Sequence, residues 1–198
     1  SERTSKETIN AILPLIFSQG FKKVFALDLP KQRSIMHLDT IFNRINKNEV
    51  IIYPQIFNSK NKIDTYIISY NQTFEEAKKS NINFIKILEN NGIKVNSINC
   101  GGNEKHNQIR EQWTEGANFF AIKPGIIIGY DCNYYTIEAL KNAGYKHVKS
   151  SDFLKNTNNY IDENKLIISI PGSELSRGRG GVRCLTLPLL RVNNNAKK

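Results

Sequence analysis

A chain of 198 residues with 39% hydrophobic and 10% aromatic residues has an ordinary globular composition, long enough for one sizeable core, so it reads as one domain or a piece of a larger one. No run of about eighteen apolar residues appears, and the first segment has no basic stretch leading into an apolar one with a small-residue cleavage site. A membrane span and a secretory leader are therefore not expected, and the chain reads as soluble and cytoplasmic. The net charge of +10 would suit an anionic partner, but the lysines are scattered among asparagines, as in Lys47-Asn48 and Lys60-Asn61-Lys62. That pattern favours a solvated face over a nucleic-acid surface. Cys100, Cys132 and Cys184 cannot all pair with one another, and none stands at zinc-ligand spacing from His37, His106 or His147, so neither a disulfide scaffold nor structural zinc is expected.

In chain order, the first element is an amphipathic helix with capping-box spacing between Thr4 and Glu7. Pro14 inside it predicts a kink or break. The helix ends at Gly20, and Phe21-Lys22-Lys23-Val24 starts a strand. The same grammar returns at Asn90-Asn91-Gly92-Ile93-Lys94-Val95 and at Asn142-Ala143-Gly144-Tyr145-Lys146-His147-Val148. A glycine closing a helix accepts the left-handed conformation, so each stretch is a helix-to-strand junction, and the chain reads as α/β with a repeated unit. Thr73 before Phe74-Glu75-Glu76-Ala77 and Thr136 before Ile137-Glu138-Ala139-Leu140 are the helix starts expected upstream of the second and third glycines.

Two hairpins are expected between the helices. One pairs Met36 to Phe42 with Val50 to Tyr53 around Asn46-Lys47-Asn48; the other turns at Lys123-Pro124-Gly125 between Phe119-Ile122 and Ile126-Tyr130. On a strand, His37 and Asp39 would share one face, an imidazole beside a carboxylate suited to acid/base work or to holding a cation. Spacing alone favours the plainer alternative of a surface pair at a strand end.

The last segment has a strand, Leu166-Ile170, then the glycine-rich loop Gly172-Ser173-Glu174-Leu175-Ser176-Arg177-Gly178-Arg179-Gly180-Gly181-Val182-Arg183-Cys184, and a second strand expected from near Cys184. Three arginines near Cys184 would favour a nucleophilic thiolate. Against this stand a buried structural cysteine and a lone Arg-Gly-Gly element for RNA, although a single copy between strands is unlike a disordered repeat. No Gly-Lys-Ser/Thr follows the glycines, so a phosphate loop is not supported. Cys100 and Cys132 read as structural, His106 and His147 as surface residues, and 193–198 as a disordered tail.

Taken together, Glu2-Arg3-Thr4, Met36-His37-Leu38-Asp39-Thr40, Arg110-Glu111-Gln112-Trp113-Thr114-Glu115-Gly116-Ala117-Asn118, Pro124-Gly125, and Gly172 through Cys184 with Pro188 and Arg191 resemble the arginine deiminase family in its own order. The family belongs to the guanidino-group-modifying α/β-propeller superfamily. The resemblance implies an incomplete pseudo-symmetric, pentein-like α/β propeller of strand-and-helix modules over 1–192, and L-arginine as substrate. It implies Cys184 as nucleophile, His37 as acid/base, Asp39 as guanidinium ligand, and Arg3 and Arg179 as substrate-carboxylate ligands, with no metal and no organic cofactor. The family's Phe-Thr-Arg-Asp and Glu-Gly-Gly-Asp segments are not found, and the chain starts at Ser1 on the Glu-Arg-Thr motif. The expectation is a fragment, half of a split enzyme or the product of a disrupted gene, impaired in turnover. A separately encoded N-terminal half is the implied partner, and homo-oligomerisation is left open. Val182, Leu185, Leu187 and Cys132 depart from the family's usual proline, methionines and arginine.

Overall fold

The computed structural model describes residues 3–57 and 63–189. Glu2, Arg191 and the tail at 193–198 lie outside the described residues.

Helix α1 (Lys6–Ser18) opens at Ser5, whose hydroxyl accepts a hydrogen bond from the Thr8 amide at 3.2 Å, so the cap is Ser5 and not Thr4. The helix runs on through Pro14 without the expected break. Leu13 and Phe17, buried against Ile68 and Phe74, hold it down on both sides of the proline and offset the hydrogen bond that proline cannot make. All three closing glycines take the left-handed conformation, with φ of 89° at Gly20, 80° at Gly92 and 91° at Gly144.

Each glycine leads into a different sheet. Gly20 feeds β1 (Lys23–Leu27), the edge of an all-antiparallel sheet. In that sheet β4 (Thr65–Ser69) lies between β1 and β5 (Lys78–Ser80). In the second sheet β3 (Glu49–Ile52), which leads into the one-turn helix α2 (Pro54–Phe57), runs antiparallel to β2 (Phe42–Arg44) and parallel to β6 (Asn96–Asn99), which follows Gly92. The third holds β7 (Phe120–Lys123), β8 (Ile126–Tyr130), β10 (Leu166–Ile170) and β9 (Lys146–Lys149) in that order, with β9 following Gly144 and leading into α6 (Ser150–Lys155). All three sheets of the described residues are open, so the architecture is mixed α/β, and a closed propeller ring is not seen.

The core explains the strand sequences. On β3, Val50 and Ile52 pack into one apolar cluster with Ile41, Phe57, Phe84 and Ile87, while Ile51 packs into another with Ile127, Leu140 and Ile167. A strand buried on both faces reads as a continuous apolar run, and β3 does. The second and third sheets are also tied by Glu49, whose carboxylate pairs with Lys165 and accepts from the Tyr145 hydroxyl at 3.0 Å and the Asn46 amide at 2.8 Å.

Three expected elements differ. Met36–Thr40 is not strand: short 3-10 helices occupy Arg33–Ile35 and Leu38–Thr40, and extended pairing starts only at Phe42. The His37 carbonyl accepts from the Thr40 amide at 3.2 Å and the Thr40 hydroxyl at 2.7 Å, a local closure that competes with a sheet ladder. Thr73–Ala77 is a turn, closed by the Glu76 carboxylate on the Thr73 amide at 2.8 Å, and the helix before Gly92 is instead α3 (Phe84–Asn90). Thr136 lies inside α5 (Tyr134–Asn142) rather than before it. The start of α5 is capped from α4 (Lys105–Trp113), where the Glu111 carboxylate accepts from the Tyr135 and Thr136 amides, each at 2.8 Å.

Candidate active site

A cleft of about 650 Å³ opens between the 3-10 turn at Leu38–Thr40, strand β2, strand β7 and the loop that ends at Cys184. His37, Asp39 and Cys184 all line it, together with Arg44 and Arg183. The chain reaches it from three segments far apart in sequence, 37–44, 120–121 and 183–184, and an ion pair of 2.8 Å between Arg183 Nη1 and Asp39 Oδ2 joins the first to the last. The other carboxylate oxygen, Asp39 Oδ1, is buried with no hydrogen-bond partner.

Loop construction brings Cys184 here. Short helix α7 (Ser173–Arg177) follows β10, and the chain then turns through Arg179, which has a positive φ of 64°. Among the described residues no strand follows: residues 182–185 form turns, with the Leu185 amide donating to the Gly181 carbonyl at 3.2 Å. Gly181 is required because a Cβ there would overlap the side chain of Asn118. The Asn118 side-chain oxygen accepts from the Arg183 amide at 3.1 Å and the Cys184 amide at 3.3 Å, and lies 3.5 Å from Cys184 Sγ.

The three arginines do not activate the thiol as the sequence suggested. Each is paired: Arg177 with Glu174 at 3.2 Å, Arg179 with Glu115 at 3.3 Å and Arg183 with Asp39 at 2.8 Å. Burial pushes the Cys184 thiol up from its ordinary value, and the Asp39 charge adds to the rise.

His37, Asp39 and Cys184 are thus brought together, whereas Arg3 and Arg179 are not among the cleft's lining residues. Arg3 reaches Met36 Sδ at 4.0 Å, beside His37. The Arg179 guanidinium is buried over the Trp113 ring at 4.7 Å and donates to the carbonyls of Trp113 at 3.1 Å and Ser34 at 2.9 Å. Two residues that sequence reasoning left without a role, Glu115 and Asn118, hold the loop. Their only sequence signal was membership of the matching stretch 110–118.

Of the remaining groups, Cys100 is fully buried and Cys132 half-buried. His106 is exposed, but His147 is half-buried and bonds Ser169 Oγ at 2.9 Å, so it is not a surface residue. Among the described residues no group of three His, Cys, Asp or Glu could hold a metal ion, and no helix is long and apolar enough to cross a membrane.

The model of the arginine deiminase family matches residues 1–191. The chain is 37% identical over 194 residues to an arginine deiminase of Mycoplasma capricolum subsp. capricolum, covering 96% of this chain and 42% of that protein. Enzymes of the same name from Latilactobacillus sakei and Listeria innocua are 34% and 35% identical, with 96% and 98% of this chain and 43% of each relative covered. The chain therefore spans less than half the length of these relatives.

Proposed function

Because the chain belongs to the arginine deiminase family, we propose that it carries the nucleophile-bearing part of a site that hydrolyses L-arginine to L-citrulline and ammonia. In this reading the Cys184 thiolate attacks the guanidinium carbon and forms a C–S bond. His37 protonates one amino group, the C–N bond breaks and ammonia leaves. His37 then takes a proton from water, which attacks the amidino-thioether carbon; citrulline leaves and the thiolate is restored. Asp39 binds the guanidinium, exchanging Arg183 for substrate. Arg3 and Arg179 bind the substrate carboxylate, for which Arg179 must leave Glu115. The chemistry asks for no metal and no organic cofactor. The observation that carries the reading is the convergence of His37, Asp39 and Cys184 on one cleft from distant segments.

The finer reading is that turnover by this chain is impaired. A guanidinium has five donors, and Asp39 meets only part of them. The aspartate and glutamate that the family places in its N-terminal half would come from a second, separately encoded chain that also completes the propeller. A catalytically silent remnant, or a subunit that only docks, is the second reading; the pairing of Asp39 with Arg183 favours it. We place the chain in the cytoplasm.

The experiment assays citrulline with the chain alone, with an N-terminal half of a family member added, and with Cys184→Ser throughout. Loss of one electrostatic partner costs roughly 100-fold to 1000-fold in turnover, so the chain alone should be below detection and the added half should restore a Cys184-dependent rate. Robust turnover by the chain alone would overturn the incomplete site, and no turnover in any mixture would favour the silent remnant.

A further inference from the structure

Asn118 lies in the loop between α4 and β7 and is 1% exposed. Its side chain grips both walls of the cleft. The oxygen accepts from the Arg183 and Cys184 amides at 3.1 and 3.3 Å, while the amide nitrogen donates to the Asp39 carbonyl at 3.3 Å. Two N–H donors on one side and a carbonyl on the other fix which way the amide points, since only its oxygen accepts and only its nitrogen donates. The backbone carbonyl of Asn118 also receives the Arg183 amide at 3.4 Å, and the Asn118 side chain packs so close to Gly181 that a Cβ there would overlap it.

We propose that Asn118 is the positioning residue that fixes the spacing between Cys184 and Asp39. The proposal deepens the deiminase reading and rests on it, because these are the two side chains that must meet one guanidinium from opposite sides.

The geometry separates this role from that of an ordinary buried amide. Any buried asparagine needs partners, and losing it costs stability wherever it stands. Asn118 divides its bonds between a segment carrying a carboxylate and a segment carrying a thiol, so its removal loosens one distance in particular. That distance has an electrostatic readout: the Asp39 charge helps to hold the Cys184 thiol up, and the effect weakens as the two segments separate.

The test is a mutant cycle on the 198-residue chain, with iodoacetamide as probe and no arginine present. The pH midpoint of Cys184 alkylation is measured by peptide mass spectrometry in wild type, Asp39→Asn, Asn118→Ala and the double variant. Asp39→Asn should move the midpoint to lower pH, and the same change in the Asn118→Ala background should move it by about half as much or less, the non-additivity of coupled neighbours. Cys100, fully buried, is the internal control for folding. If Asn118→Ala lets Cys100 react, the cycle is repeated with Asn118→Ser and read in the same way. Equal displacements in both backgrounds, or no displacement in either, would overturn the proposal. Citrulline is not measured, so a chain that never turns over arginine can still pass, and failure here leaves the assignment of Cys184 to be judged by the activity assay.

Discussion

Among the carboxyl groups of the described residues, Glu115 is the one whose charge state the fold strains most. It is buried with a positive φ of 65°, and while Oε1 meets Arg179, Oε2 has no hydrogen-bond partner. Burial pushes its carboxyl from the usual 4.5 up to about 7, against the pull of Arg179 and with a further push from Asp39. A carboxyl whose pKa is raised by folding keeps a proton that the unfolded chain releases. Its contribution to stability is therefore present below 4.5 and lost as pH rises through about 7. Glu115→Gln holds the neutral form at every pH. The melting temperature of wild type minus that of the variant should thus fall steadily across that window, and a constant difference would show that Arg179 keeps Glu115 charged throughout. Little of this was legible in the sequence. Cys184, His37 and Asp39 could be picked out only through the family resemblance, because spacing alone favoured a surface His-Asp pair and left a buried structural cysteine as an equal reading. The tasks of Glu115 and Asn118 depend on a loop that reaches them from 64 to 65 positions away in the chain, between Glu115 and Arg179 or between Asn118 and Arg183, and no local pattern marks that.

At the scale of elements, local chemistry was the better guide. The three helix-glycine-strand junctions hold because a left-handed residue after a helix is a local demand that glycine alone meets without strain. The turn at Lys123-Pro124-Gly125 holds for the same kind of reason, with Gly125 at φ 85°. Met36–Thr40 was misread because alternation of apolar and polar residues also fits a 3-10 turn whose Thr40 hydroxyl closes on His37. Gly129 gives the sharpest test. It interrupts the apolar run of β8, pairs with Ser169 on β10, and leaves the space that the Phe119 ring fills; a Cβ would overlap that ring. Phe119 is fully buried in the cluster shared by the second and third sheets, so the ring has nowhere to go. Gly129→Ala should cost about 1–3 kcal/mol, the usual range for overpacking a dense core. Urea unfolding would show this as a lower midpoint at unchanged slope; an unchanged midpoint would mean that the ring is free to shift.

For the whole molecule, the balance is between edges that attract and charge that repels. Each of the three open sheets has two edge strands, among them β5 and β7, and large apolar side chains stand in solvent near the candidate site: Ile122 on β7, and Leu185 and Leu187, the last 80% exposed. Exposed edges and contiguous apolar surface favour association, and the relatives, more than twice as long, have further chain with which to cover such surface. Against this stands a net charge of +10, which keeps copies apart while the field between them is unscreened. The screening length is about 30 Å at 0.01 M salt and about 3 Å at 1 M, so repulsion between whole molecules survives the first and not the second, whereas apolar contact survives both. The chain should accordingly be monomeric when dilute at low salt, and its weight-average mass by sedimentation equilibrium should rise with both protein concentration and salt. Replacing Leu185 and Leu187 with serine should blunt the rise without altering the low-salt monomer. A monomer at every salt and concentration would mean that these edges and leucines are not adhesive, and that the described fold covers its core without help from a second chain.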